Sequence, residues 1–108
     1  MIEVYATERG GKSRLWVKGH ATKGVDRDIV CAGVSALVQA LILYAAERPE
    51  TRRRLRYQLR SGEAFFSCYG IGQGFGVALR GLLSIAREHP EHLLIRSFPA
   101  VDDKCHAT

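Results

Sequence analysis

The chain has 108 residues and a formal net charge of +5, which suits one domain and leaves no room for a separate substrate domain. No uninterrupted apolar run reaches about 18 residues, so the sequence predicts no membrane-spanning segment. The N-terminus lacks a basic start followed by an apolar stretch, which argues against a secretory signal. Three cysteines, an odd number, indicate free thiols in a reducing compartment, and we expect a cytoplasmic protein without a metal or cofactor.

The first part of the chain reads as a hairpin followed by a helix. Apolar and polar residues alternate from Ile2 and again up to Gly19, which predicts two strands joined by a tight turn at Gly10 and Gly11. A loop over residues 20–27 leads into a long helix that starts with Asp28 as its expected N-cap and ends near Glu47.

The second part repeats this layout. Alternation returns from Arg52 and predicts a third strand, and residues 64–69 predict a fourth. A glycine-rich turn at 70–76 precedes a helix over about 75–89, and residues 93–98 predict a last strand.

The element order is therefore β-β-α-β-β-α-β. Paired hairpins in this order indicate an α+β fold with a largely antiparallel sheet and two packed helices. We expect a single domain over residues 1–98 and a C-terminal tail over 99–108.

One side of the first predicted helix is polar and carries a thiol. Asp28, Cys31, Ser35 and Gln39 follow one another at spacings of three or four residues, so they share one side of the helix. With Asp28 as the cap, Cys31 falls in the first turn, where free amides and the helix dipole favour a thiolate. The alternative is a buried structural cysteine, which is the more common role of a helical cysteine.

His20 lies at the end of the second predicted strand, eleven positions before Cys31. A pliable loop between them could fold the imidazole over the sulfur, where it would accept the thiol proton and later protonate a leaving amine. The alternative is a solvated loop histidine. Cys68 is expected in the core, and Cys105 falls in the predicted tail without an assigned role.

The glycine-rich turn does not match a nucleotide site. Phe75 occupies the place of the third glycine in the dinucleotide pattern, and no Lys-Ser or Lys-Thr pair follows. A connecting turn is the favoured interpretation.

Basic residues concentrate on the third predicted strand. Arg52, Arg54, Arg56 and Arg60 are candidate contacts for a polyanion such as RNA. A solvated strand face is the equally favoured alternative. This cluster leaves open a second function, a non-enzymatic module that binds the ribosome or RNA.

The segment from Gly19 to Ala21, followed by the run from Asp28 to Leu37, resembles the ribosomal-processing cysteine protease family, Prp. The strand that begins at Met1 and the helical segment 81–86 also fit the family, so the likeness covers most of the chain.

The resemblance implies a homodimeric α+β enzyme in which Cys31 is the nucleophile and His20 the base. Gly19, Asp28 and Ser35 match other motif positions and are expected to support the active site. The implied function is removal of an N-terminal extension from large-subunit ribosomal protein twenty-seven, or cleavage of a phage capsid or scaffold protein. The partner is thus a protein substrate, with a ribosome or RNA contact still open.

Overall fold

The computed structural model describes residues 1–98, in which the predicted strands and both long helices form. The elements are β1 (Ile2–Arg9), β2 (Lys12–Lys18), α1 (Arg27–Ala46), α2 (Pro49–Arg52), β3 (Arg56–Arg60), β4 (Glu63–Tyr69), α3 (Gly72–Glu88) and β5 (Leu93–Ser97). The α+β class is confirmed. The predicted tail, residues 99–108, lies outside the described residues.

The sheet has the strand order β3-β4-β2-β1-β5. Both hairpins are antiparallel, and β2 pairs with β4 antiparallel to join them. β5 pairs with β1 in parallel, so the sheet is mixed rather than wholly antiparallel. This parallel pair is the part of the topology that an order of elements alone does not fix.

One face of the sheet, the inner face, packs against α1 and α3. Alternate strand residues such as Val4, Leu15 and Phe66 are buried there, in the same cluster as Val34 of α1 and Leu82 of α3. We call the opposite side of the sheet the outer face. Because one face is buried and the other is exposed, apolar and polar residues alternate regularly along β1 and β2.

The start of α1 differs from the prediction. Its N-cap is Asp26, which adopts a left-handed conformation with φ 69° and makes no side-chain capping bond. The prediction that Asp28 caps the helix is therefore wrong. Aspartate tolerates this conformation better than most residues, so the helix begins two positions earlier than the polar pattern suggests.

A short helix precedes β3, and both β3 and α3 begin at residues other than the predicted ones. Pro49 opens the short helix α2, a position that suits proline because its missing N–H would be unpaired there anyway. The hydroxyl of Thr51, buried in α2, donates to the Ala45 carbonyl at 2.5 Å. The third strand consequently starts at Arg56 rather than Arg52, and α3 starts at Gly72, within the predicted glycine-rich turn.

By length and composition α1 is able to cross a membrane, because it has 20 residues and a mean hydropathy of 2.1. The length of uninterrupted apolar runs does not indicate such a helix, because Ser35, Gln39 and Tyr44 break the apolar run. In the fold, Val30, Val34 and other residues of α1 pack into the same core as the sheet. Only 28% of the apolar window is buried, so one side of the helix belongs to the core and the rest of it is exposed or partly exposed.

Glycines set the distance between α1 and α3. A Cβ added at Gly74 would overlap the Tyr44 ring, lying 2.7 Å from Cδ2 and 2.9 Å from Cζ. A Cβ at Gly81 would lie 2.9 Å from Leu37 Cδ2. The two helices thus touch at positions where α3 has no side chain.

We expect Gly74→Ala to lower the free energy of unfolding by about 1–3 kcal/mol, because the added methyl overpacks against the rigid Tyr44 ring. Gly76→Ala is the matched control on the same helix. Its methyl would meet only the mobile end of Arg80, at 3.1 Å, so the higher helix propensity of alanine should leave the protein as stable or up to about 1 kcal/mol more stable. Urea unfolding followed by circular dichroism measures both. Equal stabilities of the two variants would contradict this account of the helix contact.

Candidate active site

A cavity of about 400 Å³ opens between α1, the end of β2 and the turn that joins β3 to β4. Its wall combines apolar side chains of the sheet and of α1 with polar groups at the rim. The lining residues are Ile2, Val17, Gly19, His20, Cys31, Val34, Ser35, Val38, Gln39, Leu59, Arg60, Ser61, Gly62, Glu63 and Ala64. Of the five residues predicted as catalytic or supporting, His20, Cys31, Gly19 and Ser35 lie on this wall.

Cys31 is half-buried on the cavity side of α1, with Ser35 and Gln39 following it along the same side. This arrangement follows from the helical spacing of the three residues. The expectation that Cys31 lies in the first turn is wrong, because α1 begins at Arg27 and Cys31 is its fifth residue. The sulfur therefore faces the cavity from the start of the second turn.

Asp28 lies away from the cavity wall. Its side chain is 89% exposed, and its Oδ1 accepts hydrogen bonds from Nε and Nη2 of Arg27, each at 3.2 Å. The spacing of three residues puts Asp28 on the same side of α1 as Cys31, yet it is not among the residues that line the cavity. Its supporting role stays a prediction.

His20 owes its position to two glycines. Gly19 has φ 100°, and its amide donates to the Gly62 carbonyl at 2.8 Å, which ties the end of β2 to the β3–β4 turn. The imidazole then lies over Gly62, so that a Cβ added there would be 2.6 Å from Nε2. Gly62 itself has φ 78°, a conformation that favours glycine.

His20 and Cys31 share the cavity wall without a hydrogen bond between them. Among the hydrogen bonds of residues 1–98, none joins the imidazole to the sulfur. Catalytic hydrogen bonds are often formed only when substrate is bound, so this arrangement is compatible with a dyad that assembles on binding.

The loop between His20 and α1 is bonded to the segment that connects α3 and β5. The Thr22 hydroxyl donates to the Glu91 carbonyl, and His92 Nε2 donates to the Val25 carbonyl, each at 2.8 Å. His89 Nδ1 lies 3.7 Å from Asp26 Oδ2. These contacts tie the loop to the α3–β5 connection at Thr22, Val25 and Asp26, along most of its length.

Cys68 lies in the core, as predicted. Its side chain is fully buried on β4, and Sγ donates to the Thr51 carbonyl at 3.3 Å. Burial raises the pKa of the Cys68 thiol, which keeps it protonated and unreactive. Cys105 lies outside the described residues. Within residues 1–98 no three potential metal ligands among His, Cys, Asp and Glu come together.

The arginines of the predicted third strand separate into different places. Arg52 belongs to α2 and donates to the Ala46 carbonyl at 3.3 Å, beyond the sheet. Arg54 stacks over the Tyr69 ring, with its Cζ 5.1 Å from the ring centroid. Arg56 and Arg60 pair with Ser67 and Glu63 across the outer face.

Sequence reasoning missed the β3–β4 turn as part of the site. Residues 61–63 read correctly as a turn, but only the pairing of β4 with β2 brings that turn to His20. A glycine in a turn predicts the turn itself and carries no information about what lies above it. No signal in the sequence alone identifies this wall of the cavity.

Comparison with known proteins identifies a family and a fold for the chain. A sequence model of the family described as cysteine protease Prp matches residues 1–93. The essential ribosomal processing protease Prp from S. aureus, in complex with a covalently linked product peptide, superposes with a TM-score of 0.74 at 23% identity, covering 91% of this chain and 100% of that chain.

Two further solved structures have the same fold. The S. aureus protease in complex with a substrate peptide gives a TM-score of 0.65 at 25% identity, with 91% of this chain and 100% of that chain covered. SMU.848 from Streptococcus mutans gives 0.68 at 22% identity, with 92% and 95% covered. A search of curated proteins gives no match.

The family match makes a purely non-enzymatic module untenable as the function of the chain. It spans nearly all of the described residues, including the strand, loop and helix that carry His20 and Cys31. The chain belongs to the Prp family of cysteine proteases.

Proposed function

We propose that this cysteine protease is an endopeptidase with Cys31 as nucleophile and His20 as general base, and that it trims the N-terminal extension of a ribosomal-protein precursor. The observation that carries the proposal is the shared cavity, whose wall holds one half-buried thiol and one imidazole. Cys68 is too deeply buried to compete for the role of nucleophile.

The proposed reaction is acyl transfer. His20 accepts the Cys31 proton while the sulfur bonds to the scissile carbonyl carbon and the carbonyl oxygen becomes an oxyanion. As the oxyanion collapses, the C–N bond breaks and the imidazolium gives its proton to the leaving amine. Water then attacks the thioester, which releases the carboxylate product and restores the thiol. Backbone amides at the start of α1 are the proposed donors to the oxyanion.

Formation of the dyad requires the imidazole of His20 to lie within hydrogen-bonding distance of the Cys31 sulfur. Gly19 fixes the backbone from which the imidazole reaches, because its amide is bonded to Gly62 and a side chain at this position would clash with the backbone oxygen of Met1. We assign Gly19 to this positioning role. Ser35, one turn beyond Cys31 on the cavity wall, is assigned to hydrogen bonding with the substrate or with the imidazole.

The cavity suits an extended peptide with apolar side chains. Ile2 and Val17 of the sheet, Val34 and Val38 of α1 and Leu59 of β3 give it an apolar floor. Burying an apolar substrate side chain against such a floor is favourable by about 25 cal/mol for each Å² removed from water. The polar rim would then bind the peptide backbone.

The substrate class follows from the family. The related S. aureus structures are described as a ribosomal processing protease with substrate or product peptide. By this likeness we propose the precursor of large-subunit ribosomal protein twenty-seven as the substrate and the cytoplasm as the location. A phage capsid or scaffold protein is the alternative substrate, which a cleavage assay with both proteins would distinguish.

We expect Cys31→Ala to abolish cleavage of the precursor and His20→Ala to slow it by roughly 10²- to 10⁴-fold, because the second variant loses only the general base. The measurement is single-site cleavage followed by mass spectrometry. Cys68→Ala is the control, since its thiol does not line the cavity. Cleavage by Cys31→Ala or His20→Ala at the parental rate would refute the dyad.

We expect Gly62→Ala to reduce kcat/KM by roughly 10- to 100-fold, because the added methyl displaces the His20 ring that lies over it. Gly11→Ala is a matched control. Gly11 has φ 80°, close to the 78° of Gly62, but a Cβ there meets nothing within 4 Å. Both variants carry similar backbone strain, so only Gly62→Ala should lose activity at a temperature where both are folded. Equal activity of the two would show that the contact with His20 is unimportant.

A second, apolar side of α1 faces outward and is the proposed homodimer interface. Ile29 and Leu43 are each 66% exposed, and they lie on one stripe with exposed alanines at positions 32, 36 and 40. Small residues in the middle of this stripe would allow a second copy of α1 to approach closely. This stripe also explains the high hydropathy of a helix that is only partly buried.

We expect Leu43→Glu to convert the dimer into monomers, because it places a charge within the apolar stripe. Sedimentation velocity measures the change. Leu94→Glu is the control, since Leu94 is exposed on β5 at the outer face of the sheet. Dissociation by Leu94→Glu, with Leu43→Glu still dimeric, would place the interface on the sheet and contradict this assignment.

A further inference from the structure

The outer face of the sheet carries aromatic and cationic side chains in separate rows. Residues that pair directly across neighbouring strands point to the same face, so each row can be read from the strand register. In the described part of the chain, both long helices contribute to the core on the opposite face.

One row is aromatic. Tyr5 pairs with Trp16, and Trp16 pairs with Phe65, so three rings lie side by side on three strands. The Tyr5 and Trp16 rings have centroids 5.3 Å apart, and Trp16 and Phe65 remain 38% and 39% exposed. Neighbouring aromatic rings that stay partly exposed form a contiguous apolar patch on the sheet. Such a patch on a folded domain indicates a binding surface.

The two rows on one flank of the aromatic row are cationic. The nearer row contains Arg14 and Arg56, with the hydroxyl residues Thr7 and Ser67. The next row pairs Arg9 with Lys12 and continues to Tyr69, over which Arg54 stacks. Neither row contains an acidic residue.

The other flank is close to neutral. There Glu3 pairs with Lys18, Lys18 with Glu63, and Glu63 with Arg60, so positive and negative charges alternate. Glu63 also accepts a hydrogen bond from Trp16 Nε1 at 2.8 Å, which fixes the indole in the row. The charge on this face is therefore asymmetric. The aromatic row lies in the middle, and the excess of positive charge lies on one side of it.

We propose that this face binds a single-stranded polynucleotide, with its bases stacked on Phe65 and Trp16 and its phosphates at Arg14 and Arg56. A base on Trp16 would displace the Lys18 ammonium, which lies 4.8 Å from the centroid of that ring. Same-face neighbours along a strand are about 7 Å apart, which suits the step from a base to its own phosphate. Stacking requires bases that are free of a duplex, because paired bases hide their faces.

Charge argues against the other occupants of an exposed sheet face. A second copy would bring two faces with the same excess of positive charge together, which disfavours self-association. An acidic protein would satisfy the arginines but not the exposed row of flat rings. A polynucleotide satisfies both, and the net charge of +5 favours its approach.

The test uses the full chain and two fluorescein-labelled probes, a ten-nucleotide oligouridine and a ten-nucleotide oligothymidine. Trp16 is the single tryptophan of the sequence, so a stacked base should quench the intrinsic fluorescence of the protein as the probe anisotropy rises. The two probes distinguish RNA from DNA as the source of the strand.

We expect Phe65→Ala to weaken binding by roughly 5- to 100-fold, from the loss of one stacked base. Arg14→Gln with Arg56→Gln should flatten the slope of log affinity against log salt by about 1.4, or about 0.7 for each phosphate contact removed. Arg80→Gln with Arg87→Gln on α3 is the control, because it removes the same charge from the helical layer and should leave the slope unchanged.

Four results would overturn the proposal. They are no quenching or anisotropy change at low salt, equal affinity for duplex RNA, unchanged affinity of Phe65→Ala, and dissociation of a dimer by Phe65→Ala. The last would mean that a second copy occupies the face. Binding is measured without cleavage, so failure here leaves the peptidase proposal standing, and failure of the dyad variants leaves this proposal standing. Circular dichroism checks that each variant is folded.

Discussion

The backbone hydrogen bond from Gly19 to Gly62 is the contact on which the site depends. It joins the end of β2 to the β3–β4 turn at 2.8 Å, and both residues have positive φ values that other residues rarely adopt. Because of this bond, His20, two residues beyond the end of β2, has its imidazole over Gly62 while the residue stays exposed to solvent. Part of the cavity wall is thus built by the sheet, and the position of His20 is a consequence of strand pairing.

Each side of α1 faces a different part of the structure. α1 turns Val34 toward the core, Gly33 and Leu37 toward α3, Cys31 and Ser35 toward the cavity, and an apolar stripe outward. Four demands on twenty residues leave no broad polar face, which explains both the high hydropathy of α1 and its resemblance by composition to a membrane span. The proposed nucleophile and the proposed dimer interface therefore lie on adjacent sides of α1.

The sequence predicted what local periodicity controls. The hairpins, both long helices, the buried Cys68 and the shared helix side of Cys31 and Ser35 follow from spacings of two or of three and four residues. What it could not predict depends on distant partners. The parallel pairing of β1 with β5, the approach of the β3–β4 turn to His20 and the in-register row of Tyr5, Trp16 and Phe65 all arise from strand order. The cap at Asp26 was missed because two aspartates lie within three positions and composition does not choose between them.

The pairing of β1 with β5 governs when the cavity can exist. Ile2, part of the cavity floor, donates its amide to the His92 carbonyl at 2.8 Å and pairs with Leu93, some ninety positions later in the chain. Such distant pairing is entropically costly and forms late in folding. During synthesis the first strand must wait for the last one to leave the ribosome. A nascent chain that has not yet exposed β5 therefore cannot pair Ile2 with Leu93, so this part of the cavity floor is completed only after nearly all of the described chain has been synthesised.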